Sequence, residues 1–216
     1  MNLKECMAAL EGAGSEQTRK TYSRHGAAEP MFGVSFAFLG QLTKKVGTNH
    51  ELALQLWETG NHDARVFAEM IMDPAQLPQK TLEAWAKTQS GRFACGQFAG
   101  LVAKTPHAKK LSAKWRGMKD EWMSMMGWSI VGGLACTKYH CGRPAAGVPG
   151  LADADDPGAV TEDELSAFVD EIEAGIANAP NMTKYAMNGA LISIGTVSDA
   201  LFKKAMAAAK RIGTVD

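Results

Sequence analysis

The chain reads as all-α. Three observations predict that class. Apolar residues recur at helical spacing in segment after segment, capping-type residues stand where those segments begin, and no convincing alternating run of strand type appears. The pattern is clearest in the pair Asn49–Thr59 and Asn61–Asp73. Asn61 has the side chain to accept from the backbone N–H groups of a first helical turn, and Asp63 puts negative charge where the helix dipole favours it. Val66, Phe67, Met70 and Ile71 then share one face, Arg65 and Glu69 stand four apart on another, and Gly60 stops the preceding helix.

The other elements follow in order. Residues 2–24 form two helices broken at Gly12–Gly14, with Ser15 as a cap and Arg24-His25-Gly26 as the stop. Residues 27–34, with Pro30 and Gly33, form a loop. Ser35–Val46 is amphipathic, with Phe36, Leu39, Leu42 and Val46 opposite Lys44 and Lys45. Asp73-Pro74 and Leu77-Pro78 break the chain before a short helix, Thr81–Lys87, and another at Arg92–Ala103. Thr105 before Pro106 signals a cap and a proline in the first helical position, opening a helix to Arg116. Asp120 caps a longer apolar helix through Leu134. Residues 137–160, rich in Gly, Pro and Asp and without periodicity, read as an exposed loop. Thr161-Glu-Asp-Glu164 is a capping box starting a helix to about Ala177. Helices over Met182–Ile194 and from Ser198 to Arg211 complete the chain.

Within 216 residues the formal charge is zero, but it is unevenly distributed. From Lys80 to Lys119 nine basic residues face one acid, Glu83, giving +8; from Gly150 to Gly175 nine acids and no base give −9. Such separation predicts one basic and one acidic region. The four cysteines, Cys6, Cys95, Cys136 and Cys141, match no disulfide framework, so a reducing cytoplasm is expected. The N-terminus lacks a signal-type apolar region, and the uncharged run Met123–Thr137 is short of a membrane span, so a soluble protein without membrane contact is expected.

Candidate second helices of hairpins begin near Asn61, Ser90, Asp120 and Asn181, the first two intervals being 29 and 30 residues. Each carries a small residue about two turns in: Ala68, Gly96, Gly127 and Gly189. Small residues there would let a neighbouring helix approach. Recurrence of this kind predicts stacked hairpins of HEAT type, with an ordinary helical bundle as the alternative.

Several strings also resemble a known family. MNLKECMAALEGAGSEQTRKTYSRHGAAEPMFGVSFAFLGQLTKKV, HELALQLWETGNHDARVFAEMIMDP, NAPNMTKYAMNGALISIG and AKRIGTV are similar to the DNA alkylation repair family, the AlkD-type proteins. The resemblance spans nearly the whole chain, and the GNHDAR turn and the Tyr-Ala-Met-Asn-Gly string are its most specific parts. It implies a single domain over residues 1–216, an α-α superhelix of antiparallel HEAT-like repeats with a basic concave face for duplex DNA. It also implies excision of cationic alkylated bases by active members. Cleaving that glycosidic bond builds positive charge on the sugar, which a fixed carboxylate and aromatic faces can stabilise. The family places an Asp and one Trp on a middle-repeat helix and a second Trp in the cleft. Aligned here, the Asp falls at Gly96, the first Trp at Arg92 or Phe93, and the second at Gly189. Residues 84–119 hold no Asp or Glu that a register slip could supply.

The expectation is therefore a DNA-binding member without the family's catalytic residues or a cofactor. Lys44, Lys45, Arg92, Lys104, Lys109, Lys110 and Lys114 are its candidate phosphate contacts; a solvated outer face is the plainer reading of the α-helical lysines. Asp63, Glu69, Trp128, Tyr185 and Asn188 are candidates for a concave pocket, against helix-start, ion-pairing and core roles; Asn188 reads as a polar group within an apolar helix. Cys136, His140 and Cys141 lack a fourth ligand at standard spacing, so no metal is expected. Cys95 reads as core. Two other functions stand beside DNA binding: a non-catalytic scaffold docking a protein through the Met- and Trp-rich region 115–128, around Met118, Met123, Met125 and Met126, and an alkylpurine glycosylase with altered catalytic residues.

Overall fold

The computed structural model describes residues 1–139 and 160–214, and every regular element among them is helical. The chain packs as two compact units, Met1–Leu101 and Val102–Asp216.

The first unit holds α1 (Leu3–Gly12), α2 (Glu16–Arg24), α3 (Phe36–Val46), α4 (His50–Glu58), α5 (His62–Ile71), a 3-10 turn at Pro74–Gln76, α6 (Gln79–Ala86) and most of α7 (Arg92–Val102). Ser15, Ser35, Asn49 and Asn61 each accept a backbone N–H in the first turn of the helix they precede. That satisfies donors that a helix start leaves open. Helices α4 and α5 pack as a hairpin about the Thr59–Gly60 turn, and α5 also meets α3 and α1. Leu10, Leu39, Leu56, Phe67, Ile71, Leu82 and Phe98 are fully buried. Trp57 and Trp85 stack at 4.0 Å between ring centroids.

The second unit holds α8 (Ala108–Arg116), α9 (Glu121–Tyr139), α10 (Glu162–Gly175), a 3-10 turn at Ile176–Asn178, α11 (Asn181–Gly195) and α12 (Asp199–Ile212). Helix α9 packs on both α8 and α11, and α12 on α10 and α11. The capping box at Thr161 forms with both of its bonds. Pro180 offers no side-chain cap to α11; Glu121 supplies one from α9, accepting from Met182 N at 2.8 Å.

Three expectations need correction. Helix α8 starts at Ala108, not at Pro106: the Thr105 hydroxyl donates back to Val102 O at 2.8 Å and accepts from His107 N at 3.3 Å, so it braces the turn between α7 and α8 without capping α8. Helix α9 continues to Tyr139, so residues 137–139 are helical; the rest of the expected loop, 140–159, lies outside the described residues. The small residues two turns into the second helices divide into two kinds. Ala68 is buried, and a Cβ on Gly127 would lie 2.4 Å from Arg116 N, so there α8 and α9 touch backbone to backbone. At Gly96 and Gly189 an added Cβ would meet nothing within 4 Å. No neighbouring helix requires glycine at those two positions.

Candidate nucleic-acid interface

In the first unit the organising group is Asp63. Its carboxylate is 1% exposed and accepts three backbone N–H groups of one loop: Phe32 at 2.6 Å, Gly33 at 3.0 Å and Val34 at 2.8 Å. The loop is apolar and half buried, so its donors need an internal acceptor. Gly33 is at φ +80°, and a Cβ there would sit 2.5 Å from Ser15 O, so only glycine fits. The Tyr22 hydroxyl donates to Val34 O at 2.8 Å; burial, then the nearby Asp63 charge, pushes Tyr22 up to about 12. A helix-start role for Asp63 is thus half the account. The carboxylate is committed to holding a loop thirty residues away, a partnership that no local spacing reveals.

Glu69 is 3% exposed. Its expected pairing with Arg65 is replaced: Gln89 Nε2 donates to Glu69 Oε1 at 2.6 Å, while Arg65 Nε donates to Trp57 O at 3.3 Å and its guanidinium lies over the Trp57 ring. Glu69 Oε2 has no hydrogen-bond partner among the described residues. Burial raises this carboxyl well above its ordinary 4.5, toward the neutral form. A raised folded-state value means that the native state holds the proton more tightly than the unfolded chain. The resulting stability is complete below 4.5 and declines as pH rises through the elevated value. Glu69→Gln is therefore expected to match the native chain in urea midpoint near pH 4 and to exceed it increasingly toward pH 8. A constant difference across that range would rule out the buried-acid account.

The candidate cations fall into groups. Lys44 and Lys45 are exposed in the last turn of α3, where they also complement its dipole. Arg92 is half-buried with its guanidinium 4.7 Å from the Phe93 ring centroid. Phe93 in turn belongs to a cluster with Tyr22, His25 and Phe36. Lys104, Lys110 and Lys114 are exposed. Lys109 Nζ pairs with Glu164 Oε1 at 2.7 Å. Burial pulls Glu164 upward, but Lys109 and the Thr161 backbone N–H outweigh it and leave the carboxyl below its ordinary value. Arg116 pairs with Glu171 and lies between the Phe168 and Trp128 rings, 4.5 and 5.0 Å from their centroids. From α12, Lys204 reaches Asp170 at 2.7 Å and Arg211 Nη2 reaches Glu173 at 2.8 Å. Acids of α10 thus pair with cations of both α8 and α12.

Of the remaining pocket candidates, Trp128 is buried against Arg116 and belongs to the core. Asn188 is exposed, contrary to the expectation of a polar group held inside an apolar helix. The apolar neighbours that suggest burial point elsewhere, with Met187, Ala190 and Leu191 buried around it. Tyr185 is 52% exposed. Tyr185 and Asn188 line one groove of about 300 Å³ with Ser129 and Gly132 of α9. In the Met- and Trp-rich region Trp115, Met123, Met125, Met126 and Trp128 are buried, while Met118 is exposed and Trp122 half-buried.

Among the described residues no three His, Cys, Asp or Glu side chains group to hold a metal; His140 and Cys141 lie outside them. No described helix is long and apolar enough to cross a membrane.

Comparison with known proteins adds a family and relatives. The family model described as DNA alkylation repair enzyme matches residues 6–212. An uncharacterized protein of Listeria innocua, Lin0241, is 24% identical over 212 residues, covering 95% of this chain and 84% of that protein. One of Listeria monocytogenes, Lmo0209, matches with the same identity and coverage. A solved structure superposes with a TM-score of 0.82 at 29% identity, over 100% of this chain and 85% of the other. It is described as representing a new family of proteins related to the HEAT-like repeat DNA glycosylases with affinity for branched DNA structures.

Proposed function

The chain belongs to the DNA alkylation repair enzyme family, and from that premise we propose that it binds DNA through the phosphate backbone, branched DNA above plain duplex, without the glycosylase chemistry of AlkD-type members. Gly96 carries this reading. It stands where the resemblance places the catalytic Asp, and it has no side chain and open space beside it. The carboxylates nearest in role are spoken for. Asp63 holds three loop amides, and Glu69 is buried and pushed toward its neutral form. Neither is placed to stabilise a developing oxocarbenium charge at a groove surface. Lys44, Lys45, Lys104, Lys110 and Lys114 are exposed and supply sequence-independent phosphate affinity. The affinity of the solved relative for branched DNA supports the choice of substrate form.

The test is a salt titration of binding to a four-way junction and to a duplex of equal length. Log affinity is expected to fall linearly with log salt, with the junction bound more tightly. Reversing Lys110 and Lys114 together to Glu is expected to reduce the slope by about 0.9 for each phosphate no longer neutralised. Absence of binding at low salt would refute the reading. In parallel, release of methylated purines from alkylated DNA is expected to stay at the level of a heat-killed control, and release above it would restore catalysis.

A further inference from the structure

We propose that the groove between α9 and α11 takes one unpaired nucleobase, stacked on Tyr185 and held at its edge by Asn188. The proposal rests on the DNA-binding reading and deepens it by naming what the groove recognises. Three observations carry it.

The first is exposure. Tyr185 is 52% and Ile192 62% exposed, two large side chains about two turns apart on one helix, both lining the groove. Gly189 lies between them along the helix axis, one turn from each. An added Cβ there would meet nothing within 4 Å, so a slot stands open between phenol and isoleucine. The second is size and floor. The groove measures about 300 Å³, at the low end of the roughly 300–1,000 Å³ of small-ligand sites, and Gly132 of α9 forms part of its floor. The third is polarity. A base has two apolar faces and an edge that both donates and accepts. Tyr185 and Ile192 offer the faces their partners; the Asn188 amide both donates and accepts, and Ser129 adds a hydroxyl. Among the described residues no Asp or Glu lines the groove.

A base inside a duplex has both faces occupied by its neighbours and cannot enter. A base at a bulge, branch point or single-stranded stretch has faces to offer, which makes the groove a reader of unpaired DNA.

The experiment compares a fully paired duplex with the same duplex carrying one unpaired adenine, by fluorescence anisotropy with the full chain. The native protein is expected to bind the bulged DNA more tightly. Tyr185→Ala is expected to weaken bulge binding about 5- to 150-fold, the span that stacking of one base on an aromatic ring produces. Its duplex affinity should change by less than about twofold. Tyr185→Phe should keep the preference, because the ring and not the hydroxyl carries stacking. Asn188→Ala should reduce the preference and alter which unpaired base is favoured. Tyr185 is half exposed, so its variants are expected to retain the native circular dichroism. Equal weakening on both DNAs, an undiminished bulge preference in Tyr185→Ala, or no preference in the native protein overturns the proposal. Failure of the native protein to bind either DNA at low salt instead overturns the DNA-binding reading on which it rests.

Discussion

Asp63→Ala is expected to destabilise the first unit by about 3–5 kcal/mol, because each buried donor left unmet costs roughly 1–3 kcal/mol and the change orphans three of them. The Phe32, Gly33 and Val34 amides have no second acceptor at hand: Gly33 is pressed against Ser15 and Arg19, and the Val34 carbonyl is already engaged by Tyr22. Water cannot easily replace the carboxylate, since Gly33 and Val34 are buried along with it. Asp63→Asn is expected to lose less, keeping one acceptor oxygen but turning an amide toward N–H donors. Urea unfolding followed by circular dichroism reads both. A loss below about 1 kcal/mol for the alanine variant would mean that the loop is held by something other than this carboxylate.

The second large effect is at Gly127. A methyl group there would be driven to 2.4 Å from Arg116 N, 2.9 Å from Trp115 C and 3.0 Å from Arg116 Cα. All three are backbone atoms, which cannot swing aside as a side chain can. Helices α8 and α9 must move apart, and that pulls on Trp115, which is completely buried, and on the Ser112 hydroxyl that donates to Gly127 O at 3.0 Å. Gly127→Ala is expected to cost about 3 kcal/mol or more, at the upper end for overpacked cores. Gly96→Ala and Gly189→Ala are expected to do the opposite. Each sits in a helix with open space beside it, so alanine should stabilise by roughly 0.5–1 kcal/mol through the unfolded chain's reduced freedom. Thermal unfolding of the three variants checks the contrast; a common sign for all three would contradict the packing described.

What the sequence could disclose follows from the range of the interactions involved. Ser15, Asn61, Thr161 and Ser198 are readable as helix starts because a cap bonds within three residues of itself, and all four accept the expected N–H. Thr105 misleads because its hydroxyl serves both flanks, donating back to Val102 O and accepting from His107 N in the turn before α8 begins. Asp63, Glu69 and Lys109 reach partners 20 to 55 residues away, at distances along the chain where no spacing rule operates. Asn188 is easily misplaced because the exposed Ile192 and Gly189 blur the buried stripe of Thr183, Ala186, Met187, Ala190, Leu191 and Ile194, and Asn188 lies off that stripe. The small-residue pattern locates Gly127 and Gly96 alike, yet only the packing around them separates a glycine demanded by a neighbour from one that nothing demands.

The open space beside Gly96 has an evolutionary consequence. A side-chain Cβ added at this position would meet nothing within 4 Å. Glycine and aspartate codons can differ by a single nucleotide, and no steric toll bars the exchange. An acid could therefore enter this helix position without the scaffold having to move.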